Sequence, residues 1–139
     1  MPIATDSAPP SSIAATVLCI DDQPIIIEVV EALVAPYPNV RLLKAFTGRD
    51  GVQIAKKERP DLVLLDLHLP DMTGLDVVRE LSVEIAERQM RVVVLTSDAF
   101  SMDIIKAMSL GAQEYWQKPL SADKVSEALR RILGTTAQE

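Results

Sequence analysis

The sequence has few of the residues that hold small extracellular domains or zinc sites together. Its 139 residues include one cysteine and one histidine, so an internal disulfide is impossible and a structural zinc site has almost no ligands. Basic side chains are also in the minority, because 14 Lys and Arg stand against 20 Asp and Glu. The resulting net charge of -6 argues against a surface for duplex DNA or anionic membranes, so we expect neither as a partner.

Long apolar stretches are missing too. The longest unbroken runs have four residues, as at 62–65, and none is long enough to span a bilayer. The N-terminus lacks the basic and apolar regions of a secretory signal. With 48% hydrophobic and 24% charged residues, the composition predicts one soluble globular domain, and we expect it in the cytoplasm.

The two ends of the sequence differ in composition from its middle. Residues 1 to about 15 hold three prolines and three serines, and the chain becomes small and polar from Gly134 onward. We therefore predict a flexible lead-in or linker at 1–15, a folded domain at 16–133 and a short tail at 134–139.

Short apolar runs alternate with segments of helical periodicity through the middle of the chain. Several runs are apolar without interruption, which is typical of strands buried on both faces of a parallel sheet. The predicted strands are 17–20, 40–46, 62–65, 92–95 and 113–116. Five βα units in about 120 residues predict an open, doubly wound α/β fold.

Two of the predicted helices have recognisable ends. Apolar residues recur at helical spacing after the first strand until Pro36 ends the pattern. Near the C-terminus, Ser121 is a suitable N-cap and Gly134 a suitable stop for the last helix.

Residues with reactive or ligating side chains follow four of the predicted strands. Asp21 and Asp22 follow the first strand, Asp66 the third, Thr96 the fourth and Lys118 the fifth. The carboxyl ends of parallel strands meet at one edge of the sheet, where open α/β sheets bind ligands. The sequence therefore predicts a pocket with three carboxylates, a hydroxyl and an ammonium group.

This set of groups indicates phosphoryl chemistry. Three neighbouring carboxylates repel one another, and a divalent cation relieves that repulsion. Oxygen ligands favour Mg²⁺, or Mn²⁺, over softer metals. A carboxylate beside such an ion is a nucleophile toward phosphorus, while Lys118 and Thr96 are placed to hold the remaining phosphoryl oxygens. The predicted reaction is metal-dependent formation of an aspartyl phosphate.

Four segments, in order and at matching spacing, resemble the receiver domain of two-component response regulators, the family typified by the chemotaxis response regulator. They are 17–24 (VLCIDDQP), 60–74 (PDLVLLDLHLPDMTG), 94–99 (VLTSDA) and 111–119 (GAQEYWQKP). The resemblance covers the whole predicted folded region. It implies a flavodoxin-like sheet of five parallel strands in the order 2-1-3-4-5, with helices on both faces.

The resemblance also implies roles for individual residues. Asp66 would be the phosphoacceptor and a ligand of Mg²⁺. Asp22 would bind the ion directly, with Asp21 as a direct or water-mediated ligand. The backbone carbonyl of His68, two residues after the acceptor, would complete the protein's share of the coordination.

Further positions match the part of the family pattern that responds to phosphorylation. Lys118 would pair with the phosphoryl group, and its bond to Pro119 is a candidate cis peptide. The backbone amide of Ser97 would hold phosphoryl oxygens. Thr96 and Tyr115 match the two switch residues.

The function implied is a signalling switch that accepts phosphate from a partner phosphohistidine, on a sensor histidine kinase or a histidine phosphotransfer protein. Phosphorylation would alter the surface that this family designates α4-β5-α5, here between about Ser101 and Leu133, where a downstream protein would bind. Apart from its own phosphorylation and dephosphorylation, we expect no turnover of a substrate.

Several alternatives stay open at this stage. The chain is equally consistent with a stand-alone regulator, a receiver from a larger regulator and the receiver of a hybrid histidine kinase. A degenerate, binding-only receiver generally lacks one of the acidic residues or the lysine, and all are present here. A haloacid-dehalogenase-type phosphatase usually has a second Asp where this chain has His68.

Overall fold

The computed structural model describes residues 13–88 and 90–133. Residues 1–12 of the predicted lead-in, the whole predicted tail at 134–139 and the predicted helix stop at Gly134 lie outside this range. The first strand begins at Ala15, two residues before the predicted start at Val17.

The described residues form a single parallel sheet of five strands. Neighbouring strands follow the order β2-β1-β3-β4-β5, as the resemblance predicted. The strands are β1 (Ala15–Ile20), β2 (Val40–Ala45), β3 (Leu62–Asp66), β4 (Arg91–Thr96) and β5 (Glu114–Gln117). Every residue of β1 and β3 is buried, which explains why these strands read as continuous apolar runs.

Six helices flank the sheet in the described part of the chain. They are α1 (Pro24–Val34), α2 (Gly48–Glu58), α3 (Gly74–Glu80), α4 (Ser82–Arg88), α5 (Met102–Ser109) and α6 (Ala122–Leu133). The connection between β3 and β4 holds two helices because Leu81 has φ -100° and ψ 13°, outside the helical region. None of these described helices is long and apolar enough to cross a membrane.

Because two helices lie between β3 and β4, the later helices carry numbers one higher than in the family's name for the surface where a downstream protein would bind. The family's α4-β5-α5 surface corresponds to α5, β5 and α6 of this structure. Helix α6 begins as predicted, since the Ser121 hydroxyl accepts a hydrogen bond from the Lys124 amide at 3.4 Å.

The core consists of two apolar layers, one on each face of the sheet. Alternate residues of each strand point to opposite faces, so Leu18 and Ile20 pack on one side while Val17 and Cys19 pack on the other. The first layer is covered by α2, α3, α4 and α5, and the second by α1 and α6. Helices on both faces confirm the doubly wound architecture.

The register of the strands brings their carboxyl ends to one edge. Ile20 of β1 pairs with Leu65 of β3, so the next residues, Asp21 and Asp66, come side by side. On the other side of the site, Thr96 of β4 pairs with Gln117 of β5, immediately before Lys118.

Candidate functional site

Three carboxylates meet at the carboxyl edge of the sheet. Oxygen atoms of Asp21, Asp22 and Asp66 all lie within 4.8 Å of one another. Asp21 is fully buried and Asp66 is buried at the end of β3, whereas Asp22 is exposed. Buried strands thus supply two of the acidic groups, and the third opens the cluster to solvent.

The backbone and one oxygen of Asp21 are fixed by hydrogen bonds. Its amide donates to the carbonyl of Ala45 at 3.0 Å, and its Oδ1 accepts from the Gln23 amide at 2.9 Å. Its Oδ2 lies 3.1 Å from Lys118 Nζ, which makes an ion pair, but it has no hydrogen-bond partner among the described residues. A buried carboxylate oxygen that accepts no hydrogen bond is suited to bind a cation.

Lys118 supplies the positive charge of the cluster. Its side chain is only 11% exposed, and its Nζ lies 3.7 Å from Asp66 Oδ1. The ammonium group also donates a hydrogen bond to Gln23 Oε1 at 3.1 Å. The Lys118 amide donates to the Thr96 carbonyl at 2.7 Å, and the bond to Pro119 is cis, as predicted.

The environment of Asp66 raises the pKa of its carboxyl group above the usual value of an aspartate. Burial raises the pKa of Asp66, and the negative charge of Asp21 raises it further. The nearby ammonium of Lys118 and the amide of His68, which donates to Asp66 Oδ1 at 3.3 Å, lower the pKa without cancelling these effects. Burial likewise raises the pKa of the Cys19 thiol in β1 to about 12, with Asp21 adding to the shift.

The donor set fits a hard divalent cation. Its side-chain ligands are all carboxylate oxygens, and three carboxylates face one ammonium group, so negative charge is in excess. Mg²⁺ prefers oxygen ligands and is commonly bound by one or two carboxylates together with water or phosphate oxygens. Asp21, Asp22 and Asp66 therefore suffice as the side-chain ligands of such an ion.

The sequence predicted that Thr96 would join this pocket, and the structure places it at the right strand end. Thr96 is buried, but its hydroxyl donates to the Asp98 carbonyl at 3.1 Å and accepts from the Asp98 amide at 3.0 Å. The hydroxyl is therefore bonded within its own loop. Ser97 follows β4 directly and is exposed.

Two other predicted residues lie at the margins of the site. His68 follows Asp66 by two residues; its side chain is exposed, and it forms an isolated antiparallel bridge with Thr73. Tyr115 lies in β5, paired with Val94 of β4, and its side chain is partly exposed. Neither residue is part of the carboxylate cluster.

Sequence reasoning missed two contacts around the site. One is the hydrogen bond from Lys118 to Gln23. The sequence offered one indication of it, because glutamine is not among the residues preferred at a helix N-cap and Gln23 occupies that position in α1. The other is Asp71, which accepts hydrogen bonds from the amides of Gly48 (2.8 Å) and Arg49 (2.9 Å) at the start of α2. These bonds attach the loop after Asp66 to α2, and they lower the pKa of Asp71.

The family model described as the response regulator receiver domain matches residues 17–130. Among curated proteins, the chain is 36% identical over 121 residues to the probable transcriptional regulatory protein TcrX of Mycobacterium tuberculosis. That alignment covers 87% of this chain and 50% of TcrX, so the chain spans half the length of this relative.

Two further similarities cover a larger share of the other protein. The chain is 32% identical over 90 residues to sporulation initiation phosphotransferase F of Bacillus subtilis, covering 65% of this chain and 71% of that protein. Among solved structures, the receiver domain of a sensor histidine kinase from Pseudomonas aeruginosa superposes with a TM-score of 0.76 at 25% identity. That match covers 88% of this chain and 99% of the other, whose structure has a magnesium ion coordinated in its active site cleft.

Proposed function

The chain belongs to the response regulator receiver domain family, and from this premise we propose that it is a phosphorylation-controlled switch of a cytoplasmic two-component system or phosphorelay. One observation carries the proposal. Asp66 ends a buried strand beside two further carboxylates, and the ammonium of Lys118 lies 3.7 Å from its Oδ1. A nucleophile, a set of metal ligands and a fixed cation are thus within reach of one another.

Phosphorylation would proceed by transfer from a phosphohistidine of a sensor histidine kinase or a histidine phosphotransfer protein. A carboxylate oxygen of Asp66 attacks phosphorus in line with the phosphorus–nitrogen bond. The new oxygen–phosphorus bond forms as the phosphorus–nitrogen bond breaks, and the imidazole leaves with its electron pair and takes up a proton. In the separate hydrolysis step, water attacks phosphorus and loses a proton, the bond between phosphorus and the Asp66 oxygen breaks, and inorganic phosphate leaves, which regenerates the carboxylate.

The side chains around Asp66 have separate tasks in this reaction. Asp21, Asp22, Asp66 and the His68 carbonyl would hold Mg²⁺ (or Mn²⁺), which when bound supplies positive charge beside the attacking oxygen.

Two further groups would hold the phosphoryl oxygens, the ammonium of Lys118 and the backbone amide of Ser97. The charge of Lys118 is already in the cluster before phosphate arrives, so little reorganisation is needed.

The switch itself requires Thr96 to change partners. To reach a phosphoryl oxygen, its hydroxyl must leave the Asp98 carbonyl. Such a change shifts the population between two arrangements of the loop after β4 and of Tyr115. The neighbouring α5-β5-α6 surface has exposed apolar side chains, which suits a downstream protein partner; they are Met102, Ile105, Met108 and Tyr115, and exposed Phe100 lies in the loop just before α5.

The proposal is tested by the mass of the intact protein after incubation with acetyl phosphate, with and without Mg²⁺. We expect a gain of one phosphoryl group that requires Mg²⁺ and is absent from Asp66→Asn. Asp22→Asn, which removes an exposed ligand, should need more Mg²⁺ for the same gain. Asp123→Asn, at an exposed position in the first turn of α6, is the matched control and should behave as the wild-type protein.

Stoichiometric labelling of Asp66→Asn at another residue would contradict the assignment of the acceptor. If the wild-type protein gains no phosphoryl group and also fails to bind beryllofluoride, a mimic of the aspartyl phosphate, the switch chemistry is wrong. The binding-only receiver would then be the better description.

A further inference from the structure

We propose that Gln23 is a positioning residue for Lys118. By accepting a hydrogen bond from the ammonium group, Gln23 orients the remaining N–H donors of Lys118, so that one can reach the phosphoryl site. The inference rests on the proposed role of Asp66 as phosphoacceptor. It starts from a contact between residues 95 positions apart in the sequence, the 3.1 Å hydrogen bond from Lys118 Nζ to Gln23 Oε1.

The geometry of the ammonium group gives this contact its consequence. An ammonium group has three N–H donors in fixed tetrahedral directions. In this structure Asp21 Oδ2 and Gln23 Oε1 each lie 3.1 Å from Lys118 Nζ, while Asp66 Oδ1 is farther away, at 3.7 Å. The hydrogen bond to Gln23 Oε1 fixes the rotation about the last bond of the side chain, so the other two N–H groups are left for the carboxylates and the phosphoryl group.

The position of Gln23 in α1 supports a role outside helix capping. Gln23 is the N-cap of α1, yet its side chain makes no capping hydrogen bond. Ser, Thr, Asp and Asn are the residues that favour this position, because their short side chains reach the free amides of the first turn. The longer amide of Gln23 extends to Lys118 instead. Helix stability therefore does not account for the side chain at this position.

The main chain of Gln23 is held at the same time. Its amide donates to Asp21 Oδ1 at 2.9 Å, and its carbonyl accepts from the amide of Ile26 at 3.0 Å. The side-chain amide thus extends from a fixed point, which is what a positioning role requires.

Substitutions at residue 23 separate positioning from stability. Gln23→Ser loses the oxygen that reaches Lys118 but supplies a favourable N-cap, so it should fold at least as stably as the wild-type protein. Gln23→Met keeps the length of the side chain without the acceptor. Both variants should bind beryllofluoride, in the presence of Mg²⁺, about fivefold more weakly, the effect of one solvent-shared hydrogen bond to a charged group. The single tryptophan, Trp116, lies two residues before Lys118, and its fluorescence serves as the binding signal.

A second measurement detects the contact without phosphate chemistry. Lysine ammonium protons give NMR signals only when hydrogen bonding slows their exchange with water. The Lys118 signal, assigned with Lys118→Arg, should be present in the wild-type protein and in Gln23→Glu, which keeps an acceptor oxygen. It should be lost in Gln23→Ser and Gln23→Met.

The outcomes distinguish the two proposals. If Gln23→Ser and Gln23→Met bind beryllofluoride as tightly as the wild-type protein does, the positioning role is overturned while the proposed function stands. If the wild-type protein binds no beryllofluoride, the proposed function is wrong, and loss or retention of the Lys118 signal alone decides whether Gln23 holds the ammonium group.

Discussion

The ammonium of Lys118 makes its short ion pair with Asp21, at 3.1 Å, and not with the proposed acceptor. Asp21 is fully buried, and its Oδ2 has no hydrogen-bond partner within the described residues. Lys118 is therefore the main charge compensation for a buried carboxylate as well as the proposed partner of the phosphoryl group.

Lys118→Met should destabilise the metal-free protein, because it leaves buried Asp21 beside two other carboxylates without a cation. We expect the free energy of unfolding to fall by about 1–3 kcal/mol at neutral pH. The same change should tighten Mg²⁺ binding roughly tenfold, since the ion no longer competes with a fixed positive charge. Urea unfolding with and without Mg²⁺ measures both effects.

Lys124→Met, at an exposed position of α6, is the control for removing a lysine. A Lys118→Met protein as stable as this control, with unchanged Mg²⁺ affinity, would contradict the charge balance described for the site.

Asp66→Asn should stabilise the metal-free protein at neutral pH. The pKa of Asp66 is raised in the folded state by burial and by Asp21, so the folded protein binds this proton more tightly than the unfolded chain. The free energy of unfolding therefore falls as pH rises from the usual pKa of an aspartate through the folded-state value. At pH 7 the uncharged amide avoids that loss, and a gain on the order of 1 kcal/mol would raise Tm by roughly 3–5 °C.

Thermal unfolding between pH 3.5 and 8, without divalent ions, checks this expectation. The Tm difference between Asp66→Asn and the wild-type protein should shrink toward acid pH, where the Asp66 carboxyl is also neutral. A Tm difference that grows toward acid pH would contradict a raised pKa of Asp66 in the folded protein.

Gly74→Ala should destabilise the protein although alanine is the better helix former. A Cβ at this first position of α3 would lie 2.8 Å from the Asp66 carbonyl oxygen and 2.8 Å from Leu67 Cα, both main-chain atoms. The strand end that carries Asp66 must move, at a cost of about 1–3 kcal/mol. Helix propensity alone predicts the opposite sign, a gain of up to about 1 kcal/mol. Urea unfolding decides between them, and weaker Mg²⁺ binding should accompany the loss.

Asp71→Asn should lower the urea midpoint at pH 7, because a charged acceptor for the Gly48 and Arg49 amides becomes a neutral one. The pKa of Asp71 is lowered in the folded state, so its stabilisation is present above the usual aspartate pKa and is lost as pH falls through the folded-state value. Asp50→Asn removes a charge from the first turn of the same helix without touching these two hydrogen bonds. A smaller effect for Asp50→Asn is expected at neutral pH, and the difference between the two variants should disappear below the folded-state pKa of Asp71.

Much of the fold could be predicted because buried parallel strands leave a plain sequence pattern. Continuous apolar runs located β1, β3 and β4, and the rule that strand ends share an edge brought Asp21, Asp66 and Lys118 together. The break at Leu81 was missed, because a fully buried leucine in an amphipathic segment gives no sign of its backbone angles.

The remaining details of the site depend on side-chain reach and on long-range contacts. The bond between Gln23 and Lys118 joins opposite ends of the chain, and the bonds from α2 to Asp71 join a helix to a loop. The Thr96 hydroxyl was expected in the pocket, but its local bonds to Asp98 compete with that orientation. The sequence around Thr96 does not indicate which of these hydrogen-bond partners its hydroxyl takes.

The position of Lys118 after an edge strand has a consequence for local stability. Asp21 directly follows β1 and Asp66 ends β3, and both of these strands have neighbours on both sides. Among the described strands, β5 pairs with β4 alone. Edge elements open more readily than central ones, and amide hydrogen exchange records such opening. A brief detachment of β5 would take the cation away from the carboxylates while leaving the acidic cluster intact. If the chain acts as proposed, a phosphoryl group on Asp66 would then lose its contact with Lys118 while the ligands for a metal ion stay in place. The lifetime of the phosphorylated state would therefore depend on the fraying of one four-residue strand.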